Sequence, residues 1–222
     1  MGIAPSGRNG LDSLILDALE SLGVAGGAGH YLDIGANRPT AMSNTWSFYQ
    51  SGWRGLAADP LPGLAESWKQ SRPEDVFLPV AVGNEIGVLE YHQFGADELS
   101  TADTGIAARH KAAGQQCSIV EVKAITASEL LETHWLVAWE RPEFCSMDVE
   151  GWERQVLEGW NLQVGRHRPR LFCVESIYPN TEQQAFGEWE DILLKAGYSY
   201  WGGDRHNRIY IDGRFDPVII GV

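Results

Sequence analysis

The chain has 222 residues and a formal net charge of −13, and 44% of its residues are hydrophobic while 21% are charged. This size and composition are typical of one globular domain with its own core. Nucleic acid and anionic membrane surfaces are excluded as expected partners, because the chain is acidic and shows no basic face, and no apolar run is long enough to span a bilayer.

In the first half of the chain, apolar spacing alternates between patterns typical of helices and of strands. The predicted order is helix 11–22, strand 30–34, helix 43–51, strand 53–58, helix 64–70 and strand 75–82. A glycine-rich linker at 23–29 separates the first helix from the rest. We therefore expect a single domain over 1–222, with an amino-terminal helix and linker (1–29) and a catalytic core (30–222). The turn at Gly83-Asn84-Glu85 and the alternating run 88–94 predict a hairpin with the preceding strand.

The second half begins with a polar segment, 95–118, which predicts a mobile loop with a short helix and a candidate lid. The elements predicted after it are strand 119–125, a helix opened by the Thr126/Glu129 capping box, strand 143–148, helix 153–158, strand 170–175, a helix opened by Thr181 and Gln184, and a hairpin of strands 208–211 and 215–220. The alternation predicts an α/β fold with a mostly parallel sheet, helices on both faces and an antiparallel hairpin at one edge.

The three cysteines, Cys117, Cys145 and Cys173, are odd in number and widely spaced. This pattern argues against a disulfide framework and against a zinc site. Cys145 and Cys173 lie in strand-like runs and are expected to be small buried hydrophobic residues. A reducing, cytoplasmic location is therefore expected.

Four predicted strands end in a carboxylate: Asp33, Asp59, Asp148 and Glu175. In open α/β sheets, ligands bind outside the carboxyl ends of the strands. Buried carboxylates are costly unless they are paired or hydrogen-bonded. The four residues therefore predict a site for a ligand that brings hydrogen-bond donors or positive charge.

The junction after the first strand reads Asp33-Ile34-Gly35-Ala36-Asn37. Glycine allows the backbone to approach a ligand closely. Asp59, 26 residues after Asp33, can accept hydrogen bonds from both ribose hydroxyls of a nucleoside. The absence of G-x-G-x-x-G argues against a nicotinamide-dependent oxidoreductase, although that enzyme class and a non-catalytic cofactor-binding module on the same fold remain the alternatives.

Several short motifs occur together along the chain: Asp33-Ile34-Gly35-Ala36-Asn37, Ser43-Asn44-Thr45, Gly52-Trp53-Arg54-Gly55, Asp59-Pro60, Ala81-Val82-Gly83, Leu99-Ser100-Thr101, Asp148-Val149-Glu150-Gly151 and Glu175. Over about 31–211, this set resembles the FkbM family of methyltransferases. The resemblance implies a class I methyltransferase (Rossmann-like) fold with seven strands in the order 3-2-1-4-5-7-6 and strand 7 antiparallel. It also implies S-adenosylmethionine as methyl donor and O-methylation of a sugar or secondary-metabolite hydroxyl.

The resemblance also assigns roles to residues of this chain. It implies a cofactor-binding set consisting of Asp33, Gly35, Ala36, Asn37, Ser43, Asp59, Ala81, Val82 and Asp148, and a reacting centre lined by Asp148, Glu150 and Glu175. His206, in a polar turn, is a weaker candidate for the catalytic base. One departure from the family pattern is Arg38-Pro39 after Asn37, which alters the expected path of that loop.

An alcohol is a poor nucleophile, because its proton is held nearly as tightly as that of water, whose pKa is about 15.7. The candidate general bases are Asp148, Glu150, Glu175 and His206. A Mg²⁺ ion shared by Asp148 and Glu175 is not favoured, because two carboxylates are a short coordination list, so we predict no metal site. The expected partner is a small-molecule or carbohydrate substrate. The oligomeric state, including a homo-oligomer, is left open.

Overall fold

The structure is a computed structural model that describes residues 10–24, 27–163 and 167–215. The α-helices are α1 (Leu11–Ser21), α2 (Trp46–Gln50), α3 (Ala65–Ser71), α4 (Thr104–Ala112), α5 (Ala127–His134), α6 (Glu153–Glu158) and α7 (Glu190–Lys195). The strands are β1 (His30–Ile34), β2 (Arg54–Ala58), β3 (Val76–Leu78), β4 (Ala81–Gly83), β5 (Gly87–Phe94), β6 (Cys117–Thr126), β7 (Phe144–Met147), β8 (Leu171–Glu175), β9 (Tyr198–Gly203) and β10 (Asn207–Asp212).

The main sheet has seven strands in the order β3-β2-β1-β7-β8-β10-β9. The pairs from β3 through β8 are parallel, whereas β10 is antiparallel to both β8 and β9. The predicted fold class is therefore confirmed, including the antiparallel strand and the hairpin at one edge. This arrangement brings the carboxyl ends of β1, β2, β7 and β8 to the same edge of the sheet.

Side chains alternate between the two faces of the sheet, and each face has its own helical layer. On one face, Leu32, Cys145 and Phe172 pack with residues of α5, α6 and α7. On the other face, Tyr31 and Phe144 pack with residues of α1 and α2. Because β1, β7 and β8 are buried on both faces, they read as nearly continuous apolar runs.

The helix α1 belongs to this packed structure, since Leu11, Ile15, Ala18 and Leu19 are buried against sheet residues that include Ile209 and Ile211. Gly23 follows it with a φ of 72°, a backbone conformation that suits glycine at a helix end. The division of the chain into 1–29 and a core over 30–222 stays a prediction.

A second, three-stranded sheet lies next to the main sheet, with the order β4-β6-β5. The strand predicted over 75–82 is divided in two, so that β3 ends at Leu78 and β4 joins the other sheet at Ala81. The predicted hairpin between this strand and the run 88–94 is wrong, because β5 pairs antiparallel with β6 along eight residues. A turn and an alternating run identify a strand, but they do not identify its partner.

The segment 95–118 is more ordered than predicted. It contains α4, whose first turn is capped by the Asp103 carboxylate accepting a hydrogen bond from the Ile106 amide at 2.7 Å. Thr101 bridges to His92 of β5 through two backbone hydrogen bonds of 2.9 and 3.1 Å. The segment is therefore tied to the second sheet by backbone and side-chain hydrogen bonds.

The two predicted capping boxes have different outcomes. Thr126 accepts a hydrogen bond from the Glu129 amide at 3.1 Å and opens α5 as predicted. The helix predicted after Thr181 is present, but its predicted start is wrong, since α7 begins at Glu190. The Thr181 hydroxyl instead donates to the Tyr178 carbonyl and accepts from the Gln183 amide, so it stabilises a turn.

The edge hairpin consists of β9 and β10, joined by a turn at 204–206. The strand predicted at 208–211 is confirmed as part of β10, but its partner precedes it, at 198–203. Most of the second strand predicted at 215–220 lies outside the described residues.

The three cysteines are all free, and Cys145 and Cys173 are buried in β7 and β8 as predicted. Burial raises the pKa of both thiols, which keeps them protonated.

Among the described residues, no helix combines the length and apolarity needed to cross a bilayer.

We expect Leu19→Ala to destabilise the protein by about 2–5 kcal/mol, because it removes a buried side chain and leaves a cavity. Leu19 is 0% exposed and contacts the sheet, whereas the next residue, Glu20, is exposed. Glu20→Ala on the same helix is the control, with a change within about 0.5 kcal/mol. Urea unfolding measures both. Equal effects would show that α1 does not contribute its apolar face to the core.

Candidate active site

A cavity of about 290 Å³ opens at the carboxyl ends of β1, β2 and β7, with the second sheet as its other wall. Ten of the twelve residues predicted for the site line it: Asp33, Gly35, Ala36, Asn37, Ser43, Asp59, Ala81, Val82, Asp148 and Glu150. The two that do not are Glu175 and His206. The sheet edge thus brings together residues that lie up to 117 positions apart in the sequence.

The turn after β1 passes very close to the end of β7. Gly35 has a φ of 78°, and a Cβ added there would lie 1.7 Å from the carbonyl oxygen of Asp148. The Gly35 amide donates to the Ala58 carbonyl at 2.9 Å, and the Asp148 amide donates to the Ile34 carbonyl at 3.0 Å. Glycine is required here both for the backbone angle and for the close approach.

Asp59 is anchored by two backbone hydrogen bonds. Its two oxygens accept from the amides of Asn37 and Leu61, each at 2.9 Å, and its exposed fraction is 5%. Burial raises its pKa to about 6, and these two hydrogen bonds oppose the rise. Since each carboxylate oxygen has two lone pairs, Asp59 can still accept hydrogen bonds from a ligand in the cavity.

Asp33 lies deeper, at the end of β1. It is 4% exposed, and its Oδ2 accepts a hydrogen bond from the Thr45 hydroxyl at 2.6 Å. Burial raises its pKa to about 6, while the Thr45 hydrogen bond and the charge of Arg72 oppose the rise. Ser43 also lines the cavity, and its hydroxyl accepts from the Arg72 guanidinium at 2.6 Å.

The opposite wall is mainly apolar. Ala81 and Val82 of β4 are buried there, and the indole of Trp152 lies beside them. The Trp152 Nε1–H is buried and meets no acceptor among the described residues. Tyr91 completes this wall, and its hydroxyl donates to the Ser100 carbonyl at 2.9 Å. This wall suits a flat, largely apolar ring.

Asp148, Glu150 and Glu175 form a cluster that we call the acid triad. One carboxylate oxygen of each residue lies within 4.8 Å of the others. Burial raises the pKa of Glu175 well above its usual value, and the charges of Asp148 and Glu150 raise it further. The raised pKa favours the protonated form of Glu175, which is hydrogen-bonded to Asp148.

Three carboxylate oxygens at this spacing are also the hard donor set that Mg²⁺ or Ca²⁺ takes. The sequence suggested two such ligands, Asp148 and Glu175, and the structure adds Glu150. The prediction that no metal is bound stays a prediction, and a chelator tests it in the assay described below.

His206 does not join this cluster. Its side chain is 31% exposed, and its Nε2 lies 3.7 Å from Glu182. Its backbone carbonyl accepts hydrogen bonds from the amide and the hydroxyl of Ser176, at 2.6 and 2.9 Å. The structure therefore gives His206 a role in fixing the β8 end, and it places the imidazole outside the cavity lining.

Sequence reasoning did not assign Tyr91, Asp97 or Trp152 to the site. Tyr91 lies in β5 and Asp97 lies in the segment after β5, and both residues line the cavity. The pairing of β5 with β6, which the sequence did not predict, fixes the position of this part of the chain. Arg38, the departure from the family pattern, forms a 3.1 Å ion pair with Asp97 across the mouth of the cavity. No spacing rule in the sequence links these two positions.

The seven-stranded order with one antiparallel strand, together with a cavity at the β1 and β2 ends, defines a class I methyltransferase fold. Residues 33–200 match the model of the methyltransferase FkbM domain. The chain belongs to this family. The family assignment confirms the resemblance seen in the motifs and favours methyl transfer over nicotinamide-dependent oxidoreduction.

Two solved structures are distantly similar to the chain. One is the Burkholderia thailandensis 1,6-didemethyltoxoflavin-N1-methyltransferase with bound 1,6-didemethyltoxoflavin and S-adenosylhomocysteine, at 12% identity and a TM-score of 0.46, over 90% of this chain and 74% of that one. The other is the precorrin-6y C5,15-methyltransferase from Geobacter metallireducens GS-15, at 12% identity and a TM-score of 0.41, over 89% and 87%. Among curated proteins, none matches the sequence.

We expect Gly35→Ala to abolish the close approach between the β1 turn and β7, and to destabilise the protein by more than the roughly 1–2 kcal/mol that a left-handed backbone costs an alanine. Gly114→Ala is the matched control, since Gly114 has a φ of 86° and nothing within 4 Å of the added Cβ. Thermal and urea unfolding compare the two variants. The same loss in both would contradict the required contact with Asp148.

Proposed function

We propose that the chain is an S-adenosylmethionine-dependent O-methyltransferase that acts on a hydroxyl of a sugar or secondary metabolite. The observation that carries the proposal is the acid triad at the edge of a cavity whose walls carry Asp59 and the Gly35 turn. A carboxylate cluster suits an acceptor whose proton must be removed during attack. The proposal includes a small-molecule or carbohydrate acceptor and a cytoplasmic location, which the three free thiols support.

The residues present fit S-adenosylmethionine. Trp152 and Val82 both line the cavity, and their apolar surfaces would pack against an adenine ring. Asp59 would accept hydrogen bonds from the ribose hydroxyls. Asp33, beside the Gly35 turn, would take the amino group of the methionine part.

When bound, the cofactor supplies a methyl group on a positively charged sulfur, which is already activated for transfer. The protein's remaining task is to orient the acceptor and to manage its proton. Asp148 and Glu150 both line the cavity, so either carboxylate can hydrogen-bond an acceptor hydroxyl that enters it. Glu175, beside them but outside the lining, is held in place by the β8 strand.

The raised pKa of Glu175 makes it the member of the triad that takes up a proton first. A neutral carboxylic acid cannot act as the base, but its proton can stabilise the negative charge of Asp148 through their hydrogen bond. Because the carboxyl groups are close together, their protonation is a property of the cluster rather than of one residue. We therefore assign the base to the ionised part of the triad, Asp148 with Glu150.

We expect Asp59→Ala to weaken S-adenosylhomocysteine binding by about 1–3 kcal/mol, the scale of hydrogen bonds lost from a charged group. Asp59→Asn is the matched variant, because it keeps one oxygen for the Asn37 or Leu61 amide and separates loss of ligand contacts from loss of the loop anchor. Calorimetry measures both affinities. Unchanged affinity in the two variants would remove Asp59 from the site.

We expect Asp148→Asn to lower turnover by at least about 100-fold, the usual contribution of a general base, with a smaller effect on cofactor affinity. Glu175→Gln should cost less turnover, because glutamine keeps a hydrogen-bond donor beside Asp148. The assay is a methyl-transfer screen over sugars and small alcohols, with and without chelator. A chelator-sensitive rate would contradict the metal-free prediction.

Cofactor binding without turnover on any acceptor in this screen would favour a non-catalytic binding module over an enzyme. Loss of cofactor affinity as large as the loss of turnover in Asp148→Asn would indicate that Asp148 binds the cofactor and does not act as the base.

A further inference from the structure

Arg72, the residue after α3, is buried under the floor of the cavity. Its side chain is 0% exposed, and the guanidinium lies 4.5 Å from the Trp68 ring centre. A buried cation is costly unless it is paired and hydrogen-bonded. Arg72 is not among the cavity-lining residues, so its contacts must explain why the cation is there.

The guanidinium donates hydrogen bonds toward the site on one side. Its Nη2 lies 2.6 Å from the Ser43 hydroxyl, and its Nη1 lies 2.8 Å from the Thr45 hydroxyl. Because the Thr45 oxygen accepts from Arg72, its own hydrogen is available for Asp33, whose Oδ2 lies 2.6 Å away. The chain of hydrogen bonds therefore runs in one direction, from Arg72 through Thr45 to Asp33.

On the other side, Arg72 contacts Asp75 at 3.5 Å. Asp75 also accepts hydrogen bonds from the Tyr31 hydroxyl and the Gly55 amide, both at 2.7 Å. The guanidinium thus pairs directly with Asp75, a carboxylate in the core, and reaches Asp33, a carboxylate at the cavity, through the Thr45 hydroxyl. Only the second of these, Asp33, can meet a ligand.

We propose that Arg72 is a positioning residue for cofactor binding, which acts through the Thr45 hydroxyl to hold the Asp33 carboxylate ionised and oriented toward a cationic amino group. This inference rests on the proposed function and adds a residue that touches neither cofactor nor acceptor. It also names the chemical class that Asp33 takes, an ammonium group. A neutral donor gains only a hydrogen bond from Asp33 and an anion is repelled, whereas a cation also gains from the negative charges of Asp59, Asp75 and Asp148 around it.

The charged groups around Asp33 set the sign of the pH dependence. Burial raises its pKa to about 6, the Thr45 hydrogen bond and Arg72 oppose the rise, and the charges of Asp75 and Asp148 add to it. Asp59 also faces it, and the Cys145 and Cys173 thiols near it stay neutral. Asp33 is therefore ionised above about pH 6, and its attraction for an ammonium group is lost as the pH falls through that value.

The test measures S-adenosylhomocysteine affinity between pH 5 and pH 8 by calorimetry, with the intact protein. Thr45→Val keeps the shape of the side chain but removes the hydroxyl, and Thr45→Ser keeps the hydroxyl. We expect Thr45→Val to move the acid midpoint of binding upward by about one pH unit, the scale of one hydrogen bond to a charged group. Near pH 6.5 this shift becomes a loss of affinity of about threefold, which rises toward about tenfold at pH 5, and Thr45→Ser should restore the wild-type profile.

Tyr31→Phe is the matched control, because it removes a hydroxyl of the same buried network on the Asp75 side. We expect it to lower the unfolding temperature without moving the midpoint. Arg72→Lys, which keeps the charge but not the paired donors, should move the midpoint in the same direction as Thr45→Val if it folds. The Thr45 pair keeps the inference testable if Arg72→Lys does not fold.

Two results would overturn the inference. One is a binding midpoint that is the same in the wild type and in Thr45→Val. This result would assign the titration to Asp59, whose pKa is also about 6, and it would leave the proposed function intact. The other is a midpoint shift as large in Tyr31→Phe as in Thr45→Val, which would indicate a general structural effect. Absence of S-adenosylhomocysteine and S-adenosylmethionine binding to the wild type would instead overturn the proposed function, and this inference with it.

Discussion

The close approach of the Gly35 turn to the Asp148 carbonyl is the constraint on which the rest of the site depends. It joins the ends of β1 and β7, so that Asp33 and Asp148 line the same cavity. Any side chain at position 35 would separate these strand ends by the width of a methyl group. The parallel sheet brings the carboxyl ends of the strands to one edge. The contact between Gly35 and Asp148 then determines how close the ends of β1 and β7 lie to each other.

The buried carboxylates of this site need hydrogen bonds, nearby positive charge or a proton even when no ligand is bound, because a buried negative charge is costly. Each carboxylate meets this need in a different way. Asp59 accepts two backbone hydrogen bonds, whereas Asp33 depends on Thr45 and the Arg72 charge. For Glu175, burial and the neighbouring negative charges raise the pKa, which favours the neutral acid. Because the compensation is partial, the cavity still favours a ligand with positive charge and hydrogen-bond donors.

Glu153 shows the same principle next to the site. It lies in the first turn of α6, where the helix dipole favours an acidic side chain. In the structure it is 5% exposed, and its Oε1 accepts from the amides of Val149 and Gly151 at 3.3 and 3.2 Å. Burial raises its pKa to about 7. It braces the loop that carries Glu150, where φ is 52°.

The sequence predicts those parts of the molecule that local patterns determine. The apolar run His30–Ile34, the capping box at Thr126 and the carboxylates at the strand ends all depend on neighbours within a few positions. The partner of β5 and the role of Thr181 depend on competing contacts that appear only when distant segments meet. Arg72 gave no signal at all, because a single arginine before Pro73 looks like an exposed helix end until Asp33, Thr45 and Asp75 surround it.

The second sheet forms one wall of the cavity, opposite the edge of the main sheet. The contacts that hold this wall in place are stronger at the floor of the cavity than at its mouth. At the floor, the Thr101 hydroxyl donates to the Glu150 carbonyl at 2.8 Å, and Thr101 is 0% exposed. At the mouth, the wall meets the Gly35 loop through the Arg38–Asp97 pair, in which the arginine side chain is 61% exposed. An exposed ion pair contributes little, whereas a buried hydrogen bond to a strained backbone is costly to break. The second sheet is therefore held more firmly at the floor of the cavity than at its mouth.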